Sequence, residues 1–207
     1  MVSIGIDPGI SGAIAVFTNS GRILFADVPV IKVGKSIKSQ INIPALVRIF
    51  EKIKQHADQE QVPLHATLER VNAMPAGGVR IGATSAFSFG MGFGVYQGIL
   101  AALRVPYSLV APVTWKKAQM SDMGKEKGAS IVRATQLYPQ IADKLTRKKD
   151  HGRADALLLA RHGLALMGDV HALMGDVHAV MQDVPLQKKA RPSARAATSK
   201  LRSIPRS

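Results

Sequence analysis

The chain has 207 residues, with 28 Lys and Arg against 14 Asp and Glu and a formal net charge of +14. Its 46% hydrophobic content suits one core of ordinary domain size, and the lack of cysteine excludes disulfides, thiolate metal sites and cysteine nucleophiles. No apolar run approaches the ~20 residues that cross a bilayer and the first strand begins at once, so a cytoplasmic, nucleoid-associated protein with no membrane partner is expected, and the charge calls for a polyanion such as nucleic acid.

Val2–Ile6, Ala13–Phe17 and Arg22–Val28 read as three short strands, and "TNSG" between the last two is a turn, which predicts an antiparallel meander. "KVGKSIKSQIN" is polar and basic and reads as a loop. Pro44 suits the first turn of a helix whose apolar face is Leu46, Val47, Phe50 and Ile53. "LHATLE" is a fourth strand ending at Glu69, and "VNAMPAGGVRIGAT" is a loop. A long helix is expected over 85–103, a fifth strand in "VPYSLVAP", and helices in "VTWKKAQ" and "GKEKGASIVRATQLY". "TRKKDHGR" is a basic loop that feeds a last helix over 154–167. A meander followed by alternating strands and helices gives an α/β fold, a mixed five-stranded sheet with helices on both faces, in the order of the ribonuclease H-like fold. ATPases of the actin and sugar-kinase type share this order. They would need a second Asp- and Gly-rich phosphate loop, and the sequence has none between Glu69 and Asp155.

Three segments are expected: a catalytic domain over 1–165, a helical extension over 166–184 and a disordered basic tail over 185–207. The extension holds "LMGDVHA" twice in succession, with apolar residues at heptad-like steps. Its Asp169, His171, Asp176 and His178 read as a solvated face rather than a metal site. The tail has seven Lys and Arg from Lys188 onward and no acid. Within the long helix, Ala86, Gly90, Gly94, Gly98 and Ala102 recur every four residues and line one face. Glycine is costly in a helix, so this face is expected to meet either a second copy of the chain or the chain's own sheet. Phe87, Phe89, Phe93, Tyr107 and Trp115 read as packing residues.

Three carboxylates stand at suggestive places. Asp7 ends the first strand, Glu69 ends the fourth, and Asp155 lies in the first turn of the last helix. Each has an ordinary explanation: a turn cap, a surface pair with Arg70, a residue favoured by the helix dipole. In this fold order, however, the first and fourth strands are neighbours and the last helix starts above the same sheet end. Converging carboxylates repel unless a cation lies between them. Oxygen ligands without cysteine favour Mg²⁺, with Mn²⁺ as a substitute. Asp150 and His151 are each candidates for a fourth ligand, and His151 also for moving a proton.

"IGIDPGISGAIAV", "LERV", "APVTWKKAQ…GKEKGASIV" and "DHGRADALLLARHG" resemble, in order, the motifs of the RuvC family of Holliday junction resolvases. "FGMGFGVYQGILAAL" and "KKDHGRADALL" look closer still to its chloroplast branch and bacterial or phage relatives. The resemblance covers about residues 2–165. It implies a homodimer, through the 85–103 helix, that binds four-way junction DNA in recombination and repair and nicks two opposing strands symmetrically. It also implies Mg²⁺-dependent attack by water that leaves 5′-phosphate and 3′-hydroxyl ends. By that match Asp7, Glu69 and Asp155 are metal ligands, and Lys117 and Lys127 fall near the family's catalytic or DNA-binding lysines. The neighbouring Lys116, Lys125, Arg80, Lys148, Lys149 and Arg153 are expected to contact DNA, together with Asn72 and Met74. Two departures stand out. Gly152 takes the place of an acid or histidine three residues before the last aspartate, so Asp150 or His151 must substitute or the site has three ligands. Asn72 takes the place of an aromatic wedge, for which Met74 is the apolar alternative. An RNA-processing nuclease of the YqgF type and a catalytically inactive junction binder are the alternatives.

Overall fold

A computed structural model of the protein describes residues 1–33, 38–70, 82–124, 126 and 128–182, those from 169 on by backbone alone. The elements run β1 (Val2–Ile6), β2 (Ala13–Phe17), β3 (Ile23–Asp27), β4 (Val30–Val33), β5 (Lys38–Ile41), α1 (Ile43–Gln59), β6 (Leu64–Glu69), α2 (Ala83–Ala102), β7 (Tyr107–Val110), α3 (Pro112–Met120), α4 (Ala129–Leu137) and α5 (His151–Gln182), with short 3-10 turns at Pro139–Lys144 and Lys148–Asp150. The chain divides into two units, Met1–Val170 and His171–Ser207. All the strands lie in the first.

The main sheet has the order β3-β2-β1-β6-β7. β1, β2 and β3 pair antiparallel, and β1, β6 and β7 pair parallel. This is the expected mixed five-stranded sheet of the ribonuclease H-like kind. Its two faces differ in bulk because side chains alternate along each strand. Val2, Ile4, Ile6, Ile14, Val16, Ala66 and Leu68 pack with Leu46 and Phe50 of α1 and Tyr96, Ile99 and Leu100 of α2. The opposite face offers small residues, Gly5, Ala13 and Ala15, to α4 and α5, whose Ala134, Ala154, Ala156, Leu157 and Ala160 pack there. Leu158 and Leu159 of α5 close a third group with Val110 and Trp115.

The small face lets α5 lie directly on the sheet. A Cβ at position 5 would fall 1.9 Å from the Ala156 carbonyl oxygen and 2.4 Å from the Ala160 nitrogen. Ser3 Oγ donates to the Ala160 carbonyl oxygen at 2.9 Å. The helix is thereby locked in height against β1.

Local chemistry explains the other boundaries. Asn42 caps α1 by accepting from the Ala45 N–H at 3.2 Å, and a proline sits in its first turn as expected. The segment read as a loop after β3 is instead a two-stranded ribbon, with Val30 opposite Ile41, Ile31 opposite Gln40 and Lys32 opposite Ser39. A ribbon with so much open surface needs no hydrophobic alternation, so the pattern gave no signal. The described start of α4 is Ala129. Gly128 has φ +104°, a left-handed conformation that starts the helix only at Ala129. α5 begins at His151, three residues before the expected start, and continues through the duplicated heptad to Gln182.

On α2, a Cβ at Gly90, Gly94 or Gly98 would meet no described atom within 4 Å. The alternative in which this stripe touches the chain's own sheet is therefore not met. Phe87, Phe89 and Met91 are exposed on the same helix. Of the phenylalanines read as core or interface residues, Phe93 packs against the core and Phe87 and Phe89 lie outside it. Among the described residues, no helix is long and apolar enough to cross a membrane.

These packing differences predict opposite outcomes for two glycines. Gly5→Ala is expected to destabilise the protein by about 3 kcal/mol or more, because backbone must move to admit the methyl group. Gly98→Ala is expected to be neutral or to stabilise by up to about 1 kcal/mol through helix propensity. Denaturant midpoints of the two variants check the pair.

Candidate active site

Parallel pairing puts Ile6 opposite Leu68, so the residues that follow them, Asp7 and Glu69, leave the sheet side by side. α5, held down at Gly5, brings Asp155 to the same end. The three carboxyls act on one another. Asp7 is pushed up to about 7, chiefly by desolvation and then by the charge of Glu69. A hydrogen bond from the Gly9 N–H at 3.2 Å opposes this, Asp155 adds to it and His151 offsets part. Glu69 is raised by desolvation and by Asp155, against a hydrogen bond from Trp115 and the charge of Lys116. Asp155 is raised by desolvation, against a hydrogen bond from Ser130 and the charges of Lys116 and His151.

His151 joins this group as the first residue of α5. Its Nδ1 lies 3.1 Å from the Lys148 carbonyl oxygen. A carbonyl only accepts, so Nδ1 is the donor in this contact, and it is Nε2 that the ring offers elsewhere. Asp150, the other candidate for the fourth position, does not join it. Its carboxylate is buried and accepts from the Arg147 backbone N–H at 2.7 Å, from Nε at 2.9 Å and from Nη2 at 2.7 Å. Both of its oxygens are thereby engaged in closing the turn before α5.

Gly152 has a physical reason to be glycine. A Cβ there would lie 2.6 Å from the Ser11 carbonyl oxygen, 2.9 Å from Gly12 Cα and 3.2 Å from Asp7 Oδ2. The loop after β1 fills the space, so no acid fits at this position.

The expected basic residues separate into groups. Lys116 is the lysine whose charge reaches Glu69 and Asp155. Its Nζ also lies 5.2 Å from the centre of the Trp115 ring. Lys117, the next residue on the same helix, is exposed. Lys148 is exposed. Arg153 donates from Nε to Asp27 at 2.6 Å and from Nη1 to the Lys144 carbonyl oxygen at 3.1 Å. Lys149 Nζ is 3.7 Å from Asp27. Asn72, Met74, Arg80, Lys125 and Lys127 lie outside the described residues.

Three residues that sequence reasoning did not place here belong to the site. Trp115, fully buried, donates its indole N–H to Glu69 Oε1 at 2.9 Å. The available signal was its position just after the fifth strand, at the sheet end that carries the acids, since a buried indole N–H must find an acceptor. Ser130 holds Asp155 from α4. Tyr96 of α2 is fully buried, and its hydroxyl has no hydrogen-bond partner among the described residues. Burial raises it, and the Asp7 charge raises it further.

Three crowded carboxylates and one imidazole suit a divalent cation by charge and donor type. Among the described residues, no three His, Asp or Glu side chains stand close enough to enclose one ion. The donors therefore fit a cation by chemistry rather than as a preformed cage.

No family model and no curated protein matches this sequence. Among solved structures, the chain is similar to a Thermus thermophilus RuvC structure, at 20% identity and a TM-score of 0.47, with 81% of this chain and 97% of that chain covered. It is similar also to T. thermophilus RuvC in complex with a Holliday junction substrate, at 20% identity and a TM-score of 0.46, with 77% and 90% covered.

The raised carboxyl of Asp7 has a consequence for stability. Between the unfolded value of about 3.9 and the folded value of about 7, the native chain binds more protons than the unfolded one. Stability of the metal-free protein is therefore expected to fall as pH rises from about 4 to about 7 and then level off. Asp7→Asn is expected to flatten that slope and to exceed the parent at pH 8 in chelator by an order of 2–4 kcal/mol. Thermal unfolding of both proteins across this pH range is the check.

Proposed function

We propose that the protein is a divalent-cation-dependent endonuclease that resolves four-way DNA junctions by nicking two opposing strands. The observation that carries this reading is the convergence of Asp7, Glu69 and Asp155 at one sheet end, each with its carboxyl held up, on a chain of charge +14. A crowded acidic cluster on a strongly basic protein supports chemistry on a polyanion through a cation. When bound, Mg²⁺ (or Mn²⁺) supplies an activated water and neutralises charge on the leaving oxygen.

The chain's own residues then divide the work. Asp7, Glu69 and Asp155 would hold the cation, and Trp115 positions Glu69 by its hydrogen bond to Oε1. His151 Nε2 serves either as a fourth donor or as the base that takes a proton from the attacking water. Lys116 stands where it neutralises the phosphate as charge builds on it. In this reading residues 1–165 form the nuclease domain, and the extension over 166–184 and the basic tail over 185–207 lie outside the chemistry. The open glycine stripe and the exposed Phe87, Phe89 and Met91 of α2 support a second copy of the chain as partner, which gives the two-fold arrangement that paired nicks require.

A cleavage assay in Mg²⁺ on a synthetic four-way junction, linear duplex and structured RNA tests the reading. Paired nicks confined to the junction are expected. Cutting of RNA alone would move the protein to the RNA-processing branch, and binding without cutting in either ion would make it an inactive junction binder. Asp7→Asn is expected to lose cleavage by more than about 100-fold while still binding the junction. Lys116→Ala is expected to cost about 100-fold, and Lys117→Ala far less. For the dimer, Gly94→Leu is expected to yield a folded monomer in sedimentation.

A further inference from the structure

A second charged cluster lies at the same sheet end. β3 runs antiparallel to β2, and β2 to β1, so β3 ends on the same side as β1. Asp27, its last residue, is opposite Ala13, while Ile14 is opposite Ile6. Two strand spacings separate β3 from β1, about 10 Å, or roughly three nucleotide steps at about 3.4 Å of rise each.

Asp27 is 41% exposed and gathers three cations: Arg153 Nε at 2.6 Å, Arg147 Nη2 at 3.2 Å and Lys149 Nζ at 3.7 Å. Both arginines are held from behind. Asp150 grips Arg147 at Nε and Nη2, and the Lys144 carbonyl oxygen accepts from Arg153. Two positioned guanidinium groups and an ammonium around one half-open oxyanion form the arrangement that recognises a phosphate.

We infer that Asp27 is a resident substitute for a backbone phosphate of the DNA strand beside the cleavage site, and that bound DNA displaces it from Arg147, Lys149 and Arg153. This rests on the nuclease reading above and adds a regulation to it. With Asp27 in place the three cations are largely spent internally, so linear duplex gains little from them. A strand anchored at the acids presents a phosphate a few nucleotides along at high local concentration and takes the cations over. Asp27 thus favours a correctly seated substrate over bulk DNA.

The test compares Asp27→Asn with Asp58→Asn, which makes the same charge change at the Lys54–Asp58 pair on α1. Binding of labelled linear duplex and four-way junction is followed by anisotropy in chelator, across a salt series. For Asp27→Asn, duplex affinity is expected to rise about 10-fold at low salt, with a salt slope steeper by one to two. Junction affinity should rise less, so the preference for junction falls. Asp58→Asn should change both affinities less than about twofold. Duplex binding by Asp27→Asn that merely tracks Asp58→Asn, or that weakens, overturns the inference. Thermal unfolding establishes that the variant is folded. If it is not, Lys149→Gln replaces it: a junction salt slope shallower by about one supports the inference, and an unchanged slope overturns it. If the parent protein binds neither DNA, the nuclease reading itself fails. If the parent binds and cuts junctions while Asp27→Asn tracks the control, only the role of Asp27 falls.

Discussion

Helix α5 lies so close to β1 that any side chain at position 5 would run into the Ala156 carbonyl. That contact is backbone on backbone and leaves little room for adjustment. It follows from the small face of the sheet, where Gly5, Ala13 and Ala15 stand opposite the bulky face of Ile4, Ile6, Ile14 and Val16. The height of α5 decides where Asp155 and His151 sit above the ends of β1 and β6. Gly152 repeats the same device one turn lower, against the loop after β1. A site built this way draws its geometry from the scaffold rather than from contacts among its own charged groups.

Two carboxylate groups at this sheet end have opposite electrostatics. Desolvation holds up Asp7, Glu69 and Asp155, and the charge of neighbouring carboxylates adds to it at Asp7 and Glu69. Asp27 and Asp150 also feel desolvation, but hydrogen bonds and charge from Arg147 and Arg153 outweigh it and hold them low. The second group stabilises the turn that launches α5, and the first leaves carboxyls crowded and short of countercharge. Local stability given up at a working site and recovered beside it is a common arrangement.

Much of this was legible in the sequence, for identifiable reasons. The strands of the main sheet are short, apolar and bounded by turns, so their order and the ends carrying Asp7 and Glu69 could be read directly. Asp155 was legible because a helix start feeds it to the same edge. The β4–β5 ribbon was not, because an exposed pair of strands carries no alternation that burial would impose. The ambiguity between Asp150 and His151 could not be settled from one dimension. It turns on Arg147, whose hold on Asp150 depends on the fold of the preceding turn. Which of Lys116 and Lys117 lies nearer the acids is likewise a matter of how α3 is seated: neighbours on a helix point about 100° apart, and the charge that reaches Glu69 and Asp155 is that of Lys116. Trp115 read as packing, which it is, and nothing in the sequence singled out Tyr96. Their polar atoms acquire meaning only once the acids beside them are known.

Trp115 is the chain's one tryptophan. Its indole is fully buried, bonded to Glu69 and capped by the Lys116 ammonium. An indole so placed is sensitive to the charge and hydrogen bonding of its surroundings. The protein therefore carries a built-in optical reporter within one hydrogen bond of the site. Changes in the charge state of Glu69, or in the position of Lys116, are written into its emission without any label, and no second tryptophan contributes background.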